Sequence, residues 1–76
     1  DRDYKTRLQE EMQNRYKKIP RYQVKGETGP DHNKTFRVEV SIKGQLLALG
    51  SGKSKKEAEQ DAARFALQVL KEEDRF

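Results

Sequence analysis

The sequence predicts an α+β domain of order α-β-β-β-α: a three-stranded antiparallel sheet with two helices packed on one face. Three observations predict it. Tyr4, Leu8 and Met12 recur every fourth residue and form one apolar helical stripe. Phe36, Val38, Val40 and Ile42 alternate with Arg37, Glu39 and Ser41, the period of a strand with one buried face. After Gly52, Ala58, Ala62, Phe65, Ala66, Val69 and Leu70 return to helical spacing and share a face.

Each element has its own local signals. The first helix, predicted over Tyr4–Lys17, is capped by Asp3 and ends before Pro20, because proline disfavours helix in the residue preceding it. A strand follows at Arg21–Glu27, with Tyr22 and Val24 on one face. Residues 28–33, Thr-Gly-Pro-Asp-His-Asn, are dense in turn formers and make an exposed loop. Lys43-Gly44-Gln45 is a tight turn joining the alternating strand to a third one at Leu46–Leu49, which gives an antiparallel meander. Gly50-Ser51-Gly52 is expected to break the sheet. Ser54-Lys55-Lys56-Glu57 has capping-box spacing and opens a long helix over Ser54–Lys71. The expected unit is one domain over 1–76 with its core in 3–71 and a frayed tail at 72–76.

Composition narrows the function classes. Seventy-six residues hold one small core. At 32% hydrophobic and 39% charged, patterning rather than composition separates this chain from a disordered one. It has no cysteine and one histidine, which rules out a disulfide framework and a Cys-ligated zinc site. No apolar run approaches the roughly 20 residues of a membrane span, and no signal-peptide core is present, so a cytoplasmic location and no membrane partner are expected. The chain opens at Asp1 rather than Met, which reads as a piece of a larger protein.

The net charge of +4 points to a polyanionic partner, and its placement says more. Three lysines and no acid lie between Gly50 and Lys56, whereas Glu57–Phe76 holds six acids against three bases. Lys53, Lys55 and Lys56 stand at or just before a helix start, where the helix dipole disfavours cations. A cluster opposing the local field, beside exposed backbone N–H groups, is a phosphate site in wait of its anion. On the first helix, Thr6, Gln9, Glu10 and Gln13 form a polar stripe opposite the apolar one. Its hydroxyl and amides donate and accept hydrogen bonds, which suits 2′-hydroxyls in the wide minor groove of an RNA duplex. In the loop, Gly29 and Pro30 shape the turn, and His32 and Lys34 are expected to project from its tip.

One motif is a decoy. Gly50-Ser51-Gly52-Lys53-Ser54 follows a strand and opens a helix, as a phosphate-binding P-loop does. That motif requires glycine five residues before Gly52, where Leu47 stands, and no parallel βαβ unit surrounds it.

Three stretches together resemble the double-stranded-RNA-binding domain family, and within it the C-terminal domain of bacterial ribonuclease III. They are Asp3-Tyr4-Lys5-Thr6-Arg7-Leu8-Gln9-Glu10, Thr28-Gly29-Pro30-Asp31-His32-Asn33-Lys34-Thr35-Phe36 and Ser51-Gly52-Lys53-Ser54-Lys55-Lys56-Glu57-Ala58-Glu59. The likeness runs over nearly the whole chain in order and spacing. It implies that Thr6, Gln9, Glu10 and Gln13 meet one minor groove, with Gln9 and Gln13 the candidates for base-edge contact. His32 would meet the next minor groove, with the backbone around Pro30 and Asp31. Lys53, Lys55 and Lys56, assisted by Ser54, would hold the phosphates between. The fragment is expected to be monomeric, to have no catalytic or metal-binding residue of its own and to need no cofactor. The parent would be a dimeric, magnesium-dependent endonuclease whose catalytic domain lies outside this chain. One departure is the apolar third strand, Leu46-Leu47-Ala48-Leu49, of which one leucine is expected to be exposed.

Two other readings compete. A domain of the same fold serving protein contact or dimerisation would not need its lysines. A sequence-specific DNA reader would offer the major groove a helix with Arg or Asn at base edges, and the polar stripe lacks that basic face.

Overall fold

A computed structural model describes residues 3–72 and has the predicted order and layers. Helix α1 spans Tyr4–Tyr16, strands β1, β2 and β3 span Arg21–Thr28, Thr35–Ile42 and Gln45–Gly52, and helix α2 spans Lys55–Glu72. Glu72 thus belongs to α2 rather than to the expected tail, and residues 73–76 lie outside the described residues.

The helix ends are built as their sequences require. Asp3 accepts the Thr6 N–H at 3.2 Å and the Thr6 hydroxyl at 2.6 Å, closing the start of α1. Lys17 takes a left-handed conformation (φ 58°), so that its N–H reaches Gln13 O and that of Lys18 reaches Met12 O. These bonds satisfy the last carbonyls of α1 and turn the chain toward Pro20 and β1.

The sheet is antiparallel in the order β1-β2-β3. Lys43 and Gly44 both have positive φ, 50° and 80°, and Ile42 pairs with Gln45. That is a two-residue type I′ turn, whose twist matches the strands it joins. Val38, Val40 and Ile42 point from β2 into the core, as their alternation predicts.

A bulge explains the apolar third strand. Val40 pairs with Ala48 and Ser41 with Leu46, leaving Leu47 as the extra residue. Leu47 and Ala48 can therefore both be buried although adjacent, while Leu46 (46%) and Leu49 (58%) are exposed. Two leucines, not one, face solvent. A second bulge lies between Val24 and Gly26 in β1; Tyr22 and Val24 share one face as expected, paired with Val40 and Val38, and Val24 on this edge strand is 39% exposed.

Two further expectations are corrected. Gly50-Ser51-Gly52 does not break the sheet: Gly50 pairs with Val38 and Gly52 with Phe36 inside β3. The glycines serve close approach instead. A Cβ on Gly50 would collide with the Ala62 backbone, and one on Gly52 would lie 2.7 Å from Ala58 N. Phe65 is 39% exposed rather than buried. It sits on the flank of α2 above β3, the sheet edge, where no further strand exists among the described residues to cover it. The Arg64 guanidinium lies 4.3 Å from its ring centroid. Ala63 takes a core place instead, beside Ala58, Ala62, Ala66 and Leu70. Leu8 and Met12 from α1 complete the same cluster. None of the described helices is long and apolar enough to cross a membrane.

Candidate nucleic-acid interface

The start of α2 brings free backbone donors and two exposed lysines together. Ser54 caps it, its hydroxyl oxygen accepting the Glu57 N–H at 3.0 Å, and Ser54 O accepts the Ala58 N–H at 2.9 Å. The N–H groups of Lys55 and Lys56, in the first two helical positions, have no intrahelical acceptor. Both side chains are exposed and carry no ion pair among the described residues. The Glu57 carboxylate turns back to accept the Lys53 N–H at 3.1 Å, which fixes the approach to the helix.

Lys53 does a different job from its neighbours. Its ammonium donates to Asn33 Oδ1 at 3.1 Å and Thr35 Oγ1 at 3.4 Å, tying the base of the β1–β2 loop to the start of α2. The loop itself, residues 29–34, closes through a turn in which Asn33 N–H donates to Pro30 O at 2.9 Å. Gly29 has φ 96° and no space for a side chain, since a Cβ would meet Asn33 O at 2.5 Å. Pro30, Asp31 and His32 are exposed at the tip. Lys34 is only half-exposed. Its ammonium lies 2.7 Å from Glu27 Oε1 and 3.9 Å from Asp31 Oδ1, at the base of the loop. Lys34, first by its hydrogen bond and then by its charge, holds the Glu27 carboxyl below its ordinary range, and Lys55 adds to this. Sequence reasoning placed Lys34 at the tip because Glu27 is its neighbour only across the β1–β2 pairing.

The polar stripe of α1 is exposed as expected, but it divides. Thr6 and Gln9 line an open groove of about 390 Å³ together with Tyr22, Lys56 and Gln60. Gln13 lies one turn further along α1. Glu10 faces a second groove, between α1 and the C-terminal half of α2, with Arg7, Arg64 and Gln68. Thr6 is also partly engaged: its hydroxyl donates to Asp3, which leaves the oxygen as an acceptor.

Three residues that sequence reasoning missed hold this surface together. Lys5 lies 4.8 Å over the Tyr22 ring centroid and is ion-paired with Glu59, joining α1, β1 and α2. The buried Tyr22 hydroxyl has no hydrogen-bond partner among the described residues; burial, and secondarily the Glu59 and Asp3 carboxylates, push its pKa far up, so it stays neutral. Gln60 accepts the Tyr4 N–H at 2.7 Å and the Lys5 N–H at 3.3 Å. No local pattern marks Lys5 or Gln60, because their hydrogen-bond partners lie more than 50 residues away in the chain.

Thr6 and Gln9, the start of α2 and the loop are therefore connected, whereas Glu10 faces the second groove. Groove residues link α1 to Lys56, and Lys53 links the start of α2 to the loop. The acids do not converge: among the described residues no group of three or more His, Asp or Glu side chains could hold a metal ion.

A polar, hydrogen-bonding helix face, an exposed loop and a cationic helix start on one α-β-β-β-α scaffold define a duplex-binding module. The chain belongs to the double-stranded RNA binding motif family, whose model matches residues 4–70. It is 59% identical over 70 residues to Ribonuclease 3 of Syntrophobacter fumaroxidans and 57% identical over 68 residues to that of Natranaerobius thermophilus. Those matches take in 92% and 90% of this chain but only 29% and 30% of the relatives' lengths. A solved structure of Arabidopsis HYL1 superposes with a TM-score of 0.77 at 36% identity, covering 92% of this chain and 99% of that one.

Proposed function

We propose that this double-stranded-RNA-binding domain grips an A-form duplex across two successive minor grooves and the phosphates between them, largely without regard to sequence. The carrying observation is the lysine bridge. Lys53 binds the loop base at Asn33 and Thr35 while Lys55 and Lys56 carry no ion pair at the helix start, so the loop is tied to the cationic helix start. Thr6, Gln9, Glu10 and Gln13 take the first minor groove, and Gln9 and Gln13 supply any base-edge contact. Pro30, Asp31 and His32 take the second groove. Lys55 and Lys56 hold phosphates with Ser54, whose hydroxyl oxygen caps the helix while its proton is free to donate. Lys34 supports the loop through Glu27 and adds positive potential near its base.

We further infer that the parent is a magnesium-dependent, duplex-specific endoribonuclease of the ribonuclease III kind, dimeric and cytoplasmic. Its catalytic domain is not in this chain, which binds as a monomer and requires no cofactor. The relatives' name, Ribonuclease 3, and the share of their length left unmatched support the ribonuclease and the separate catalytic domain in this reading.

The test is a titration against matched RNA and DNA duplexes longer than the roughly 16 base pairs such a domain spans, at two salt concentrations. Clear preference for RNA, with both duplexes binding more weakly at higher salt, is expected. Failure to bind either duplex would transfer the function to protein contact. Replacing Gln9 and Gln13 should shift positional preference more than overall affinity.

A further inference from the structure

We propose that Gln60 is a positioning residue that sets the distance between the minor-groove face of α1 and the phosphate-binding lysines of α2. The inference rests on the duplex-binding reading above. Gln60 lies one helical turn beyond Lys56 on the same side of α2, and both line the groove shared with Thr6 and Gln9.

Its carboxamide has three bonds. Oε1 accepts the N–H groups of Tyr4 (2.7 Å) and Lys5 (3.3 Å), the first two residues of α1. These donors have no acceptor within their own helix, so α2 caps α1 from outside. Nε2 donates to Asp3 Oδ1 at 2.9 Å. The same carboxylate receives the Thr6 N–H and hydroxyl. A residue facing the duplex, its cap and the start of α1 are thus locked to α2 through one side chain.

The chemistry demands an amide of this length. Accepting two N–H groups while donating to a carboxylate requires a carbonyl and an NH₂ on one head group. Glutamate has no donor and would place a second negative charge beside Asp3. Methionine matches the length but supplies neither group. The groove and phosphates of a duplex stand at fixed separation, so loosening this bond set removes preorganisation from one contact when the other forms.

The experiment measures RNA and DNA duplex affinity and salt slope for the whole chain and for Gln60→Met, Gln60→Glu and Asp3→Asn/Gln60→Glu, each checked for folding by circular dichroism. Gln60→Met and Gln60→Glu are expected to lower RNA affinity on the order of tenfold. DNA affinity and salt slope should stay near those of the parent chain, so the RNA-over-DNA ratio falls. In the double variant the added charge is removed but the link is not restored. One Asp3 oxygen accepts both the Thr6 N–H and Gln60 Nε2. An amide oxygen there keeps the Thr6 bond while offering no donor to a carboxylate at position 60, so the ratio should stay below that of the unaltered chain. An unchanged ratio in folded Gln60→Met or Gln60→Glu, or full recovery of the ratio in the double variant, overturns the proposal. If Gln60→Met does not fold, the double variant and Gln60→Glu carry the decision alone. Absence of RNA preference in the unaltered chain would instead overturn the duplex-binding reading itself.

Discussion

Gly50 of β3 lies directly beneath the backbone of Ala62 in α2, so closely that a single methyl group cannot be inserted. The nearest atoms are backbone: Ala62 N and Cα, with Ala58 O at 2.7 Å from a Cβ placed there. Backbone cannot move aside as a side chain can. This close approach sets how low α2 sits on the sheet, and thereby where Lys55 and Lys56 stand.

Gly50→Ala should therefore destabilise the domain by about 3 kcal/mol, at the upper end of overpacking costs. Gly44→Ala is the control. Gly44 has open space around it and only its positive φ to lose, so a cost of about 1 kcal/mol is expected. Urea midpoints of the two variants check this, and equal shifts would mean that α2 can lift off β3 without strain.

Leu8 is fully buried and is one of two α1 residues in the core, with Met12. Leu8→Ala should cost about 2–5 kcal/mol. A domain this small has few kcal/mol to lose, so a large drop in thermal midpoint or outright unfolding at room temperature is expected. Circular dichroism melting is the measurement.

Lys55 and Lys56 differ from Lys53 in having no side-chain hydrogen bond or ion pair among the described residues. Replacing both with alanine should weaken duplex binding sharply and flatten the dependence of log affinity on log salt by roughly 0.9 for each phosphate no longer neutralised. Lys53→Ala should behave differently, loosening the loop by removing the bonds to Asn33 and Thr35 as well as removing charge. A salt slope unaltered in Lys55→Ala/Lys56→Ala would show that neither ammonium meets a phosphate.

Bonds from the Thr6 hydroxyl, then from Gln60 and the Thr6 N–H, hold the Asp3 carboxyl at about 2, below its ordinary 3.8. A depressed folded pKa means stability that is complete above the unfolded value and lost as pH falls through the folded one. The α1 cap should therefore weaken between pH 3.8 and about 2. Glu27, held down by Lys34, acts in the same direction at the loop. Thermal midpoints followed across that range should fall less steeply in Asp3→Asn, and an identical slope would show that the Asp3 carboxyl has no part in the acid dependence.

The isolated chain should leave long duplex RNA intact in the presence of magnesium, because metal-assisted phosphodiester hydrolysis needs a carboxylate cage and the acids among its described residues do not cluster. Specific cleavage by the pure chain, read on a denaturing gel, would contradict this.

What the sequence determined by itself is everything with a local cause. Period and capping located α1, β2 and α2 to within one or two residues, since Asp3, Ser54 and the alternation from Phe36 to Ile42 act on their own neighbourhoods. The lysines opposing the α2 dipole were legible for the same reason. What only the tertiary structure decided are the relationships between segments distant in the chain. The glycines of β3 looked like a strand break because the helix backbone that requires them comes from residues 58–62. Phe65 looked buried because helical spacing assigns a face but cannot say that the sheet stops at β3. Lys34 and Lys53 found their partners across a strand pair and a loop, and Gln60 found its own at the far end of the chain. Hydrogen bonds and close packing are short-ranged in space, so which residues share them is settled only when the sheet has paired and α2 has docked on it.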